Sequence, residues 1–428
     1  MTKLLVLILV GIILGQVARL PISDSGAVVF NDLMVPLVLA FWVISKLAKK
    51  EFIIYKTPLN WPILLFLIIA FFSWIINLGN FASFECLQSF AYLIRLMSYS
   101  LVFFFVIDII KTKEVFSKFY SLAIWVGLIV AFLGFLQIVY VPNFEFMTQY
   151  GWDPHVGRLL STFFDPNYAG GFLVFVNSLV LSRMLFSKDK AKKGLLFFAF
   201  IFLLLAIVFT YSRSAYLAFV VSFLTICLLK SWRLLLFGAI ACVIIFFSFP
   251  RLQERIMGGF SLDATAKMRL ESYTQAQKII EDNLVSGIGY NNLRAVKEEN
   301  NQIQDPLHQA AGGFDSTLLT ILATTGIVGF LVYLWLLWRT LKDSFKEFWD
   351  KNLPRSTQQN LVSLSVQNKK SPPDLRGLGL GIFAGFLGLL VHSQFVNSLL
   401  YPHIMLFSFI VLGLFYAGKR IYKGSVVR

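Results

Sequence analysis

Charge is scarce in this chain. Only 14% of its 428 residues are Asp, Glu, Lys or Arg, where a soluble domain carries roughly a quarter. An ordinary water-soluble globular protein is therefore excluded. Cysteine is almost missing: Cys86, Cys227 and Cys242 are the full set. Two of them lie in apolar runs, so no disulfide framework is implied. Histidine is limited to His155, His308, His392 and His403, and no HxxxH or His/Cys spacing marks zinc. Asp24, Asp32, Asp153 and Asp165 form no paired-carboxylate motif for a divalent cation. A Walker A motif and a Gly-rich strand–turn–helix fingerprint are absent too. No metal, ATP or dinucleotide is expected as cofactor.

Apolar residues are abundant instead. They make up 57% of the chain, and the mean hydropathy is +0.73. Apolar runs of roughly 17 to 25 residues recur from end to end, the length of a bilayer-crossing helix. Backbone groups in lipid must bond within their own segment, so the expected fold is an all-α polytopic transmembrane bundle. About 12 spans are read, at 4–18, 27–46, 61–77, 88–110, 117–141, 167–186, 194–210, 214–230, 233–249, 316–338, 377–397 and 402–418. The first lacks a small-residue cleavage site and is kept as a helix rather than a signal peptide. Residues 1–428 form a single integral membrane domain.

The net charge of +15 raises the question of nucleic acid. The positions of the charges answer it. With the N-terminus in the cytoplasm, 27 Lys and Arg fall in inner segments and 10 in outer ones, and Arg95 lies inside a span. The basic balance is thus a topology signal, and no nucleic-acid partner is expected. Residues 250–315 become a large extracytoplasmic loop between helices 9 and 10. Its mixed charge suits a folded cap, with an amphipathic helix in Met268–Leu293 whose apolar face holds Leu270, Tyr273, Ala276, Ile279 and Ile280. Residues 343–376 form a cytoplasmic loop.

Polar residues on the outer side cluster at helix starts. Asp165 reads as an N-cap before Pro166. TYSRSAYL precedes the eighth helix and GFDSTLL the tenth. A helix N-terminus with an arginine near it suits a phosphate group, which singles out Arg158 and Arg213; the alternative is ordinary capping beside surface charge. Arg95 faces either the bundle interior or, by snorkelling, the surface. Asn167, Ser212, Ser214 and Ser316 at the helix starts join Arg269, Arg95 and His308 as candidate substrate contacts.

These motifs resemble the O-antigen ligase and Wzy-type polysaccharide polymerase family. Arg213-Ser-Ala-Tyr-Leu217 fits an outer-face Arg with three residues to a Leu. Asp315-Ser316, nine residues, then Gly326-Ile-Val-Gly329 fits the family's second motif in spacing, with Asp in place of its His. RLLSTFFDPNYAG and GIGYNN also resemble family segments. The resemblance covers roughly Arg158 to Phe330. It implies a bacterial inner-membrane glycosyltransferase, metal-independent and active on the extracytoplasmic face. The implied donor is a glycan on undecaprenyl diphosphate. The acceptor is a hydroxyl of a glycan, lipid or protein, and membrane lipid surrounds both. Arginines neutralise the departing diphosphate: Arg158, Arg213 and Arg269, with Arg95 as a deeper contact. Asp315 is read as general base or as cap of the tenth helix, and one residue can do both. His308 is the other candidate for the missing histidine. The His-to-Asp exchange tilts the reading to polymerase over ligase. The competing class is a transporter or flippase for a lipid-linked oligosaccharide or small anion, which calls for broken helices with charge at the midplane.

Overall fold

The computed structural model describes residues 1–22, 26–51, 55–258, 264–303, 313–349 and 372–423. It is an all-α polytopic membrane bundle. The helices are α1 (Thr2–Leu14), α2 (Phe30–Ala48), α3 (Asn60–Ile76), α4 (Ser83–Ile109), α5 (Lys113–Tyr140), α6 (Pro166–Phe186), α7 (Lys190–Phe209), α8 (Arg213–Lys230), α9 (Trp232–Ser248), α10 (Pro250–Met257), α11 (Ala264–Asp282), α12 (Leu293–Glu299), α13 (Thr317–Trp349), α14 (Pro373–His392) and α15 (Pro402–Lys423). Among the described residues ten helices are long and apolar enough to cross a membrane. Thr2–Ala18 is a shorter apolar helix, so the count is ten spans against the about 12 expected. The strand content among the described residues is one short hairpin, Arg19–Pro21 against Ala27–Val29.

Burial ranks the helices. The apolar window of α6 is 94% buried, with α15 at 78% and α14 at 72%, while that of α2 is 28%. A chain in lipid gains nothing from hiding apolar surface as such, so close packing must come from shape. Glycines on α14 supply it. A Cβ at Gly381 would stand 3.0 Å from the Leu179 Cα on α6, and Cβ atoms at Gly385 and Gly388 would collide with Phe175 and with Ser222 of α8. Thus α14 lies against both α6 and α8, and these three helices form the centre.

Three expectations change. The tenth span, read as 316–338, runs on to Trp349, so residues 343–349 of the expected cytoplasmic loop are helical. The remainder of that loop, 350–371, lies outside the described residues. Leu270 is exposed rather than on the buried face of the loop helix. That face is Ala276 and Ile279, packed with Ile288, Leu293, Phe314 and Ala323 in a small separate core.

The third change is a break in α13. Gly326 has φ 67° and ψ −175°, outside helical geometry. The backbone groups that the break exposes are met by the turn after α11. Ile327 N–H donates to Leu284 O at 2.8 Å, and Ile288 N–H to Ala323 O at 2.9 Å. The Ser73 hydroxyl of α3 serves the carbonyls of Ser286 and Thr324, each 2.7 Å away. Gly287 takes φ 65°, and a Cβ there would stand 2.5 Å from the Thr324 carbonyl carbon. The Gly326–Gly329 motif therefore marks where the cap is stapled to the bundle.

Candidate functional site

Two cavities lie at the end of the bundle where α4, α6, α13 and α15 begin. The larger, about 370 Å³, is lined by Ser89, Tyr92 and Arg95 of α4, Tyr290–Ala295 and Glu298 of the cap, Gly313–Asp315, Thr320 and Thr324, and Asn397–Met405 in part. The smaller, about 220 Å³, is lined by Gln16, Arg19, Ala27, Val29, Gly151–Asp153, His155, Phe164 and Asp165. Both are bounded by Tyr92, Arg95, Tyr168, Tyr401 and Pro402. Tyr168 and Tyr401 stack face to face, centroids 3.9 Å apart and planes 10° from parallel. This shared wall joins the two spaces.

Arg95 is the charged member of that wall. Its Nε donates to Asp32 Oδ1 at 2.6 Å and Nη2 to Asp32 Oδ2 at 2.5 Å, a two-pronged ion pair. The Tyr99 hydroxyl donates to the same carboxylate at 2.8 Å, and the guanidinium lies 4.4 Å from the Tyr92 ring centroid. Arg95 therefore faces the interior instead of snorkelling, because Asp32 of α2 compensates the charge.

Asp315 lines the larger cavity just ahead of α13. Its backbone N–H donates to Ser272 Oγ at 3.2 Å. The helix cap is its neighbour: Ser316 Oγ accepts from Leu319 N–H at 3.4 Å. The capping alternative for Asp315 thus passes to Ser316. Burial raises the Asp315 carboxyl above the usual range, against the opposing pull of Arg269 and Lys297. A raised carboxylate is a better proton acceptor. Lys297 of α12 donates to Gly313 O at 2.8 Å and sits 5.1 Å from the Phe314 ring centroid, holding the segment that carries Asp315. Burial lowers its ammonium to about 8.

Other candidates serve differently from the expectation. Arg158 is buried. Its Nε donates to Thr210 O at 2.9 Å and Nη2 to Tyr211 O at 3.2 Å, so it fixes the turn between α7 and α8. Burial and then Arg255 lower its guanidinium to about 10. Neither Arg158 nor Arg213 lines either of these two cavities; Arg158 instead holds the turn that leads directly into Arg213. Arg269 stands 5.8 Å from the Phe395 ring centroid and bears on Asp315 through its charge. Asn167, Ser212 and Ser214 belong to one hydrogen-bonded chain. Ser212 Oγ donates to Asn167 Oδ1 at 2.7 Å, Ser212 and Ser214 hydroxyls are 3.1 Å apart, and Ser214 Oγ is 3.2 Å from His392 Nε2. The chain ties the starts of α6 and α8 to the end of α14. His308 lies outside the described residues.

Asp165 caps α6 as read, its Oδ1 accepting from Asn167 N–H at 2.7 Å and Tyr168 N–H at 3.1 Å. With Asp153 and His155 it brings ligand atoms within 4.8 Å of one another. A cation fits poorly there. The Arg158 guanidinium can only donate, so at 3.5 Å it makes His155 Nδ1 an acceptor and leaves the proton on Nε2. A neutral imidazole in that tautomer offers no lone pair at Nε2. Burial holds the ring below its usual range, which keeps it neutral.

Sequence reasoning missed Lys297 and the aromatic wall. A lysine followed by two glutamates looks solvated, and single aromatics among 45 Phe, 15 Tyr and 9 Trp carry no signal.

A family model described as O-antigen ligase (Wzy_C) matches residues 169–334. No curated protein matches the chain. The matched segment runs from the first turn of α6 into α13. It contains Arg213, the cap, Asp315 and the break at Gly326.

Proposed function

We propose that this multi-pass membrane protein, a member of the O-antigen ligase family through residues 169–334, transfers glycan from a polyprenyl-diphosphate carrier such as undecaprenyl diphosphate to an acceptor hydroxyl. The observation that carries the reading is a continuity. An apolar furrow between α3, α4, α13 and α15, lined from Ile63 to Leu412, meets the larger cavity at Leu400 and Met405, which line both. A lipid with a polar head needs that pairing. The furrow, about 40 Å³, takes only the first carbons of the prenyl chain next to the head, and the rest of the tail lies in the bilayer. The diphosphate and first sugar sit in the cavity beside Asp315.

Asp315 accepts the proton of the attacking hydroxyl. The hydroxyl oxygen forms a bond to the anomeric carbon. The bond from that carbon to the phosphate oxygen breaks, and the lipid diphosphate leaves with the electron pair. Lys297 and Arg269 flank Asp315 and offset the negative charge that develops on the departing diphosphate. The residues in place need no metal for these roles. The distribution of Lys and Arg supports a loop end that faces away from the cytoplasm, and the reading puts the reaction there, in a bacterial inner membrane as the family resemblance implies. Polymerisation is preferred to ligation on the aspartate at position 315.

One observation favours the transporter reading: α13 is broken, as transporter helices often are. The break is filled by backbone of the cap, and residues 323–329 carry no charge. That is a staple rather than an ion site. The test is a pair of variants assayed for polymer formed from purified lipid-linked donor at equal protein level. Asp315→Asn should lower turnover on the order of a hundredfold or more. Asp315→His, which supplies another base at the same place, should retain a measurable part. Full activity in Asp315→Asn removes Asp315 from the mechanism.

A further inference from the structure

The smaller cavity has no part in the chemistry assigned so far. Every residue lining it lies outside 169–334, whereas the larger cavity draws half its wall from that segment. We propose that the smaller cavity is the subsite for the terminal sugar of the acceptor, and that Trp152, Asp153 and Arg19 set which sugar is accepted; this rests on glycan transfer as the reaction.

A transfer between two substrates needs them held in neighbouring spaces that meet at the reacting atoms. The two cavities meet at Arg95, Tyr168 and Tyr401. The larger is continuous with the apolar furrow and takes the lipid-bound donor. The smaller shares no residue with the furrow, so it takes a sugar end of its ligand and not a lipid part. At about 220 Å³ it falls below the roughly 300–1,000 Å³ of pockets for drug-sized ligands, which suits one sugar ring rather than a stretch of chain.

Its lining has the two chemistries that a sugar ring presents. The C–H face of a ring packs on an aromatic plane, and its rim of hydroxyls donates to carboxylates and accepts from a guanidinium. Trp152 supplies the plane. It stands at 83° to Phe164, centroids 5.4 Å apart, and the Arg19 guanidinium lies over its ring, 5.2 Å from the centroid. Asp153 and Asp165 supply acceptors. One oxygen of Asp165 is taken by the α6 N-terminus, which fixes where the other stands.

The test uses full-length protein in proteoliposomes with lipid-linked donor. The acceptor probe is a set of oligosaccharides of one to three repeat units, prepared by mild hydrolysis of the native host's own polysaccharide. Trp152→Ala should raise the acceptor KM on the order of tenfold, with donor KM and thermal unfolding unchanged. Trp152→Phe should restore most of the affinity. If Trp152→Ala does not fold, Asp153→Asn, which keeps the shape, decides by the same KM split. A folded variant with unchanged acceptor KM, or with donor KM raised instead, overturns the proposal. A readout independent of turnover is the change in tryptophan fluorescence on adding the oligosaccharides. It should be present in the wild type and lost in Trp152→Phe. A wild-type protein that shows it while transferring nothing would keep the subsite and discard glycan transfer; no such change in the wild type would discard the subsite.

Discussion

The two cavities differ in how they are built. The larger is walled by the cap, the start of α13 and α4, and its polar groups are held by backbone. Lys297 binds Gly313 O, the Asp315 N–H meets Ser272, and the cap is stapled into α13 at Gly326. The smaller is walled by Gln16, Arg19, Ala27 and Val29 on one side and by residues of the segment 151–165 on the other, which pack on each other through Arg19 and Trp152. Rigid backbone suits a reaction that must be repeated at one point. Side chains on connecting loops suit a surface that varies with the sugar it reads. The family match follows the same division, since it covers the cap and Asp315 and stops short of the smaller cavity's lining.

The strongest way to break this division is to disturb what both cavities share. Asp32→Ala leaves Arg95 buried without its carboxylate. Removing one partner of a buried ion pair costs about 3–5 kcal/mol. Thermal unfolding should show a loss of that order, and both donor and acceptor KM should worsen in the protein that remains. A normal melting curve would mean that Arg95 finds water in the cavity.

A middle-sized effect separates scaffold from site. Arg158→Lys removes the fork on Thr210 O and Tyr211 O, hydrogen bonds from a charged donor worth roughly 1.5–3 kcal/mol. Stability should fall by that amount, while neither KM changes in folded protein. A selective rise in donor KM would return Arg158 to the diphosphate.

The smallest effect belongs to the larger cavity alone. Activity should rise with pH as Asp315 deprotonates, above the usual carboxylate range because burial raises it. It should fall again above about 8, where Lys297 loses its proton. Arginine stays protonated to above about 12, so Lys297→Arg should move the alkaline limb upward and leave the acid limb in place. An unmoved alkaline limb in the pH–rate profile would exclude Lys297 as its source.

Much of this bundle is legible in the sequence, for a physical reason. Lipid demands long apolar helices, and the ten of them among the described residues all fall on apolar runs that can be read in the sequence. The Asp165–Pro166 cap is legible too, because N-caps are local. What the sequence hides is pairing at a distance. Nothing near Arg95 announces Asp32, 63 residues away. Gly326 reads as a motif glycine, and only the docked Leu284–Ile288 turn explains its backbone. Asp315 and Ser316 are both good caps by type, and local geometry gave the role to Ser316. The arginines at helix starts were read for phosphate, but Arg158 turned inward to carbonyls that no spacing rule reveals.

The most direct test is a count of products. Purified wild-type protein in proteoliposomes, given one lipid-linked repeat as both donor and acceptor, should release one free polyprenyl diphosphate for each glycosidic bond formed. Asp315→Asn should release almost none while still binding the donor. Donor that crosses the bilayer intact, with neither bond formation nor release, would contradict glycan transfer and leave transport as the function.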